Sequence, residues 1–304
     1  MSTPITEDIK KNTDWRINLL DIRQSVVFPG PKQVSEELSR HAQRLADAIE
    51  RHIQSGVNPE SFLLEVTGFR YRAQRLRENL YALRTLRNKP LRLSELGLAR
   101  EHVDLLLSSN LQQTGGLVIV FGTTGSGKTT TVAATVISRL EELGGYCLCV
   151  EDPPENRLEG FYGNGGYAEQ IDASGIGYKA ALIAALRCFP ANKPSMLMMG
   201  EIRSAEDAYE LMQIALDGHL VITTMHAKDI VSGLSRLVSL AGATGEKDVR
   251  AMLASGLNLV MHQTLADYSP KLSVLKFNQT ASAIVHHGVL AHLQDEILRQ
   301  NRKF

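Results

Sequence analysis

One short stretch constrains this chain more than any other: residues 122–129 read Gly-Thr-Thr-Gly-Ser-Gly-Lys-Thr. The stretch fits the pattern G-x-x-x-x-G-K-[ST] and lies between the apolar run 117–121 and a helical pattern, which is the setting of a phosphate-binding loop (P-loop). Glycines let backbone N–H groups surround phosphate oxygens, and the following helix adds the positive end of its dipole. We therefore expect a nucleotide to be bound by Gly122, Thr123, Thr124, Gly125, Ser126, Gly127, Lys128, Thr129 and Thr130.

Two residues of the P-loop carry chemistry of their own. Lys128 is placed to reach the β- and γ-phosphates, and the Thr129 hydroxyl is a ligand that suits Mg²⁺. The alternative, a glycine-rich turn that contains a lysine by chance, is disfavoured by the strand and helix patterns on either side. ATP and Mg²⁺ are the expected cofactors.

The composition is that of a globular protein with no overall charge. Of 304 residues 43% are hydrophobic, and Lys and Arg together number 33, as do Asp and Glu. This balance gives no basic field for nucleic acid, which is therefore not an expected partner. No apolar run approaches membrane-spanning length, and the cysteines have neither disulfide nor zinc spacing, so we expect a cytoplasmic protein without membrane insertion.

The sequence predicts two domains that meet near the Lys89-Pro90 break. Residues 31–55 have the spacing of an amphipathic helix and residues 61–87 read as three strands, so that residues 1–90 form a small α+β domain. In residues 91–304, a helix over 99–110 precedes an alternation of apolar strands and helices, which predicts an α/β domain with a parallel sheet. The glycine-rich stretch 158–170 is expected to be a mobile loop without chemistry.

Acidic and histidine residues follow three apolar strands downstream of the P-loop. Acidic residues lie within 151–155, Glu201 follows the strand over 196–199, and His226 ends the run 220–226. Each alone could be a solvated strand end. In parallel sheets, however, ligands bind at the carboxyl ends of the strands, so three such ends predict one site beside the P-loop.

Four motifs in this order make the chain resemble the ATPase superfamily of type II and type IV secretion and type IV pili, PilT-like motors in particular. They are Gly-Thr-Thr-Gly-Ser-Gly-Lys-Thr-Thr-Thr (122–131), Val-Glu-Asp-Pro-Pro-Glu (150–155), Met-Gly-Glu-Ile-Arg (199–203) and Gly-His-Leu-Val-Ile-Thr-Thr-Met-His (218–226). The resemblance implies a RecA-like P-loop ATPase domain joined to a smaller PAS-like N-terminal domain. It also implies a homohexameric ring, peripheral at the inner membrane through platform or other secretion-apparatus proteins.

The resemblance implies roles for residues at the strand ends. Glu155 matches an acidic residue needed for hydrolysis, and Glu201 matches the glutamate that orients or activates the attacking water. Glu201 is also expected to join Thr129 around Mg²⁺. His219 and His226 match two histidines of one motif, of which His226 is placed to sense the γ-phosphate.

Three arginines complete the set that the resemblance implies. Arg203 belongs to the motif that contains Glu201 and is assigned to nucleotide binding. Arg72 and Arg84 fall where the N-terminal domain supplies arginines to the nucleotide. Phosphoryl transfer depends on positioning and charge stabilisation, which calls for cations of this kind.

The chain also departs from the family pattern. Ser195 and Ser204 stand where the family usually has aspartate, and residues 282–289 do not match the motif of pilus-retraction motors, which weakens a retraction role. The prediction is a Mg²⁺-dependent ATPase motor for a pilus, a type IV secretion or conjugation apparatus, or a type II system, with domain motion about residues 88–95. A nucleic-acid-translocating motor and a nucleotide-gated scaffold without turnover remain alternatives.

Overall fold

The computed structural model describes residues 9, 12–57, 60–87, 89–190, 195–266 and 269–302. They form two compact units. One unit holds the described residues up to Lys89 together with Glu155–Arg157, and the other holds Pro90–Pro154 with the described residues from Leu158 onward. No helix in these ranges is long and apolar enough to cross a bilayer.

The first unit is an antiparallel sheet with a helix on one face. Its elements are β1 (Asp14–Asn18), β2 (Val26–Phe28), β3 (Lys32–Gln33), α1 (Glu36–Gln54), β4 (Ser61–Val66), β5 (Phe69–Arg77) and β6 (Leu80–Leu86). The strands lie in the order β3-β2-β1-β6-β5-β4, and every neighbouring pair is antiparallel. The predicted helix and the three strands of residues 61–87 are confirmed, whereas no pattern in the sequence predicted β1.

Helix α1 forms because its apolar residues recur at three and four and make one stripe. Ser35 caps its first turn by accepting a hydrogen bond from the Leu38 N–H, and Leu38, Leu45 and Ile49 are buried. They pack with alternate residues of the sheet, of which Trp15 is fully buried. The opposite face of the sheet is thereby left to polar side chains.

A polar group lies inside this core. The imidazole of His41 is 3% exposed, with Nε2 2.6 Å from the Tyr71 hydroxyl and Nδ1 3.3 Å from the Thr67 hydroxyl. The indole of Trp15 lies against the same ring, 5.3 Å away between centroids. Burial, with a smaller contribution from the charge of Arg44, lowers the pKa of His41 from 6.5 to about 4.

This pKa makes the stability of the first unit depend on pH. Below pH 6.5 His41 becomes protonated in the unfolded chain, whereas in the folded unit it stays neutral down to about pH 4. The free energy of unfolding should therefore be unaffected by His41 above that window and fall on acidification through it, by at most about 1.4 kcal/mol per pH unit. The fluorescence of Trp15, the only tryptophan of the chain, reports this unfolding in urea. The His41→Gln variant should show a smaller loss between pH 6.5 and 4; an equal loss would contradict the assignment.

The second unit is a mostly parallel sheet between two layers of helices. Its strands are β7 (Gly116–Gly122), β8 (Gly145–Glu151), β9 (Gly160–Tyr162), β10 (Gly166–Asp172), β11 (Ser195–Met199), β12 (Leu220–His226), β13 (Leu257–Ala266) and β14 (Ser269–Lys276). Its helices are α2 (Arg100–Leu107), α3 (Ser109–Thr114), α4 (Lys128–Leu143), α5 (Tyr178–Cys188), α6 (Ala205–Leu216), α7 (Ile230–Gly242), α8 (Val249–Gly256), α9 (Gln279–His287) and α10 (Leu293–Asn301). The strand order is β14-β13-β7-β12-β11-β8-β10-β9. Only the outermost pairs, β13–β14 and β10–β9, are antiparallel in the described sheet.

Both faces of this sheet are buried, as the unbroken apolar strands predict. Leu117, Ile119 and Phe121 of β7 pack into one hydrophobic cluster, which includes helices α6 and α7. Val118 and Val120 pack into another, against helix α4. The α/β fold expected for this part of the chain is confirmed.

The expectation of a mobile loop over residues 158–170 is wrong. Strands β9 and β10 form there, and β10 continues the parallel sheet by pairing with β8 from Gly166↔Gly145 to Asp172↔Glu151. The glycines serve close packing instead, because a Cβ on Gly163 or Gly166 would collide with the backbone of Glu141 or Leu140 in α4. Glycine content alone thus misled the interpretation of this segment.

The single helix expected over residues 99–110 is also wrong. The backbone leaves α2 at Ser108, and the short helix α3 begins at Ser109. The buried Arg139 of α4 donates hydrogen bonds from Nη1 to the carbonyls of Leu106, at 2.7 Å, and Ser108, at 3.0 Å. These bonds occupy carbonyl oxygens at the break, which compensates for the interrupted helix.

Candidate functional site

The register of the parallel strands brings the predicted site residues of the second unit to one edge. Strand β12 pairs with β7 in step, ending with His226 opposite Gly122, where the P-loop begins. Met199 of β11 pairs with both Thr223 of β12 and Val150 of β8. The segments after these strands, which contain Glu201 and Asp152, therefore leave the sheet beside the P-loop.

The P-loop has the conformation that its glycines permit. Gly125 and Gly127 have φ values of 78° and 85°, a region that favours glycine. Lys128 is 6% exposed, and its Nζ donates a hydrogen bond to the Thr123 carbonyl at 2.9 Å. Burial lowers the pKa of Lys128, while the charge of Glu201 acts in the opposite direction. The loop thus curves around a cation held near a carboxylate.

Glu201 is the centre of a chain of polar side chains. Its Oε1 lies 3.0 Å from Nε2 of His226, and its Oε2 lies 3.2 Å from Nε of Arg203. Arg203 extends the chain, with Nη1 3.7 Å from Oδ2 of Asp152. Burial opposes the charge of Arg203, but the hydrogen bond to Glu201 and the acidic neighbours raise its pKa overall. Each carboxylate oxygen of Glu201 therefore has a nitrogen neighbour within 3.2 Å.

The residues at this edge fit a nucleotide with a bound Mg²⁺. The Thr129 hydroxyl and the Glu201 carboxylate are hard oxygen donors of the kind that Mg²⁺ prefers. No cluster of three His, Cys, Asp or Glu side chains that could hold a metal occurs among the residues that the structure describes. A Mg²⁺ ion here would therefore draw its remaining ligands from phosphates and water, which is its usual mode beside nucleotides.

His219 is not brought to this edge. It precedes β12, whereas His226 ends that strand, and the length of the strand, about 20 Å, separates the two. Its ring stacks on Phe189, 4.6 Å away between centroids, and its carbonyl accepts a hydrogen bond from the Gly116 N–H. His219 therefore lies away from the P-loop of its own chain. The nucleotide contact that the resemblance implies for His219 stays a prediction.

Arg72, Arg84 and Glu155 belong to the first unit. Nη1 of Arg72 lies 3.1 Å from Oε1 of Glu155, and Nε of Arg84 lies 3.0 Å from Oδ1 of Asp14. Arg72 and Arg84 face each other across β5 and β6, on the side of the sheet away from α1. They line a cavity of about 220 Å³ with Asp14, Arg16, Gln74, Ala82 and Leu83. Arg16 is an arginine of this cavity that the sequence interpretation missed.

The structure adds Gln263 of β13 to the P-loop. Its Nε2 donates a hydrogen bond to the Ser126 carbonyl at 2.7 Å, and the side chain is buried. The two residues are 137 positions apart, so no local motif could connect them. The available signal was that Gln263 continues the alternate buried positions of Leu259 and Met261, because a buried polar residue needs a partner.

The strand order and the P-loop define the class: a RecA-like P-loop fold. Solved structures with this fold include the pilus retraction motor PilT with bound ADP (TM-score 0.71, 22% identity, 98% of this chain and 90% of that chain). Another is the ATPase DotB of Legionella pneumophila (TM-score 0.67, 21% identity, 98% of this chain and 84% of that chain). At these identities the likeness concerns the fold alone.

The family model described as "Type II/IV secretion system protein" matches residues 70–291, and the chain belongs to this family. The type II secretion system protein HxcR of Pseudomonas aeruginosa is 39% identical over 150 residues, 49% of this chain and 30% of HxcR. The type IV pilus assembly ATPase PilB of Myxococcus xanthus is 35% identical over 151 residues, 50% of this chain and 24% of PilB. The matched part thus spans less than a third of either relative.

Glycine at position 122 is required by packing, which a pair of variants can test. A Cβ on Gly122 would lie 2.5 Å from both the Gln263 carbonyl oxygen and the Ser126 hydroxyl oxygen, whereas one on Gly125 would meet nothing within 4 Å. Gly125→Ala should cost about 1 to 2 kcal/mol of unfolding free energy for its backbone conformation. Gly122→Ala should cost about 3 kcal/mol, because the loop must shift. Equal losses in chemical denaturation would contradict the packing argument.

Proposed function

We propose that this chain is a Mg²⁺-dependent ATPase that powers a type IV pilus, a type IV secretion or conjugation apparatus, or a type II secretion system. One observation carries the proposal: a glutamate held from both sides, by His226 and Arg203, at the sheet edge where the P-loop begins. A carboxylate fixed beside a phosphate loop is what activation of water against a γ-phosphate requires.

The P-loop residues would bind and orient the triphosphate. Backbone N–H groups of the loop face phosphate oxygens, and Lys128 exchanges its bond to the Thr123 carbonyl for the β- and γ-phosphates. Thr129 and Glu201 would hold Mg²⁺, and the ion would supply positive charge that stabilises the phosphates during transfer.

Glu201 would orient the attacking water with an oxygen that its neighbours aim. Arg203 donates a hydrogen bond to one of its oxygens, Nε2 of His226 lies 3.0 Å from the other, and both side chains are also partly exposed to solvent. Either side chain can turn from Glu201 to the γ-phosphate. Binding of a triphosphate would then leave an oxygen of Glu201 free to accept a hydrogen bond from the attacking water. His226 thereby serves as the γ-phosphate sensor.

We infer that the working form is a homohexameric ring, cytoplasmic and held at the inner membrane by platform or other apparatus proteins. Support comes from the family and from relatives whose names place them in type II secretion and in pilus assembly. In such a ring, Arg72 and Arg84 would stabilise the γ-phosphate on a neighbouring subunit, with Glu155 holding Arg72 in place.

The motion would be confined to the first part of the hinge predicted over residues 88–95. Nε and Nη2 of Arg92 donate to both carboxylate oxygens of Glu141 at 2.7 and 2.8 Å. The Leu93 N–H donates to the buried Ser138 hydroxyl at 3.0 Å. Because Glu141 and Ser138 lie on α4, the chain from Arg92 onward is fixed to the second unit. Asn88 lies outside the described residues.

Two substitutions separate binding from turnover. Lys128→Ala should abolish detectable nucleotide binding and turnover, because the loop loses the ammonium group that would contact the β- and γ-phosphates. Glu201→Gln should bind a fluorescent ATP analogue within a fewfold of wild type and lower the rate of phosphate release by at least about a hundredfold, since an amide cannot accept the proton of water. Lys247→Ala and Glu206→Gln, changes of exposed residues of the same types, serve as controls.

The same assays test the alternatives. Wild-type protein that binds ATP without releasing phosphate would indicate the nucleotide-gated scaffold. Turnover that rises severalfold with added DNA would indicate the nucleic-acid motor. Unchanged turnover in both Lys128→Ala and Glu201→Gln would overturn the enzyme assignment itself.

Mixing variants tests whether Arg72 acts on a neighbouring subunit. Lys128→Ala lacks a competent P-loop but keeps Arg72. Arg72→Gln keeps the P-loop but lacks the arginine. Each alone should be inactive, and mixed rings should regain part of the ATPase activity, because adjacent subunits then complete a site. Absence of recovery, with mixed rings demonstrated by native mass spectrometry, would contradict the arrangement. Arg23→Gln, an exposed arginine of the same unit, is the control.

A further inference from the structure

Strand β13 places a buried amide against the P-loop. It pairs with β7 so that His262 is opposite Phe121, which brings Gln263 level with Gly122. Gln263 is 1% exposed, and its Nε2 donates to the Ser126 carbonyl. Its Oε1 is buried without a hydrogen-bond partner among the residues that the structure describes. The desolvation cost of this unpaired oxygen offsets part of what the hydrogen bond to the Ser126 carbonyl contributes to stability.

The hydrogen bond fixes the direction of one peptide group in the loop. The Ser126–Gly127 peptide is trans, since the cis bonds of the described chain are elsewhere. In a trans peptide the C=O and N–H bonds point in opposite directions. Because the Ser126 carbonyl is held toward β13, the Gly127 N–H must point away from β13.

The P-loop glycines are fitted to the same side chain and strand. A Cβ on Gly127 would lie 2.9 Å from Nε2 of Gln263, and one on Gly122 would lie 2.5 Å from the Gln263 backbone oxygen. Glycine at these two positions therefore leaves room for the close approach of β13 to the loop. This packing contact does not involve Lys128 or Glu201.

We propose that Gln263 is a positioning residue for nucleotide binding: it holds the Ser126–Gly127 peptide so that the Gly127 N–H faces the phosphates. The inference rests on the proposed use of the P-loop as the phosphate site. Without this hydrogen bond the peptide can rotate and turn the Ser126 carbonyl toward the phosphate oxygens, a repulsive contact. Gln263 thus prearranges a donor that the nucleotide would otherwise have to order on binding.

The test is the affinity of the intact chain for a fluorescent ADP analogue. Gln263→Met removes the amide at nearly constant volume and should raise the dissociation constant about tenfold. Gln112→Met is the matched control, because Gln112 also donates from Nε2 to a backbone carbonyl, that of Ser195 at 2.9 Å, away from the P-loop. It should leave the dissociation constant within twofold of wild type, whatever it does to thermal stability. A Gln263→Met value within twofold of wild type would overturn the proposal.

Two further variants separate the possible failures. Lys128→Ala binds no analogue if the P-loop is the phosphate site; if it binds normally, the site assignment fails rather than the role of Gln263. Gln263→Glu covers the case in which Gln263→Met does not fold. Its carboxyl can donate to the Ser126 carbonyl only when protonated, so the ratio of its dissociation constant to that of wild type should fall from about pH 8 to about pH 5.5. A ratio that does not change with pH would overturn the proposal.

Discussion

The parallel register between β7 and β12 is the constraint on which the site depends. The strands pair in step from Gly116↔Leu220 to Gly122↔His226, so the P-loop and His226 leave the sheet together. Both faces of β7 are apolar, and alternation therefore cannot prevent a slip of register. The start of the pairing is fixed by packing instead: a Cβ on Gly115 would collide with the Gly218 backbone, and the Gly116 N–H donates to the His219 carbonyl. Residues at the opposite end of β7 and β12 thus determine which side chains lie beside the P-loop.

Once the strand ends coincide, charge and burial define the site. Glu201 is partly buried, and a carboxylate in that setting needs polar neighbours: Arg203 donates a hydrogen bond to it, and Nε2 of His226 lies 3.0 Å away. Lys128 is more deeply buried, and burial lowers its pKa, so the proximity of Glu201 supports its charged form. The P-loop meanwhile leaves the Ser126 hydroxyl and the Gln263 amide oxygen without partners in the described chain. Unsatisfied polar atoms of this kind are expected where function competes with stability.

The sequence predicted the parts of the site whose signals are local. The P-loop, Glu201 and His226 follow apolar strands directly, and the fold rule for strand ends then groups them. Gln263 and Arg16 could not be predicted in this way, because their partners are set by the pairing of strands far apart in the chain. The prediction of a mobile loop over 158–170 was wrong for a related reason. Its glycines pack against the backbone of α4, and composition does not reveal such a contact. The break at Ser108 likewise depends on Arg139, a residue of another helix.

Helix α4 connects the two ends of the proposed mechanism. Its first residue is Lys128, and its last turns hold the chain that enters the second unit, through Ser138, Arg139 and Glu141. A helix of 16 residues is a rod of about 24 Å, and α4 is buried along most of its length. Such a rod cannot absorb a displacement of the P-loop by bending locally, because no proline or glycine interrupts it. In the proposed mechanism, a movement imposed on Lys128 would therefore be carried to Arg92, and the chain would have to bend at the residues just before Arg92.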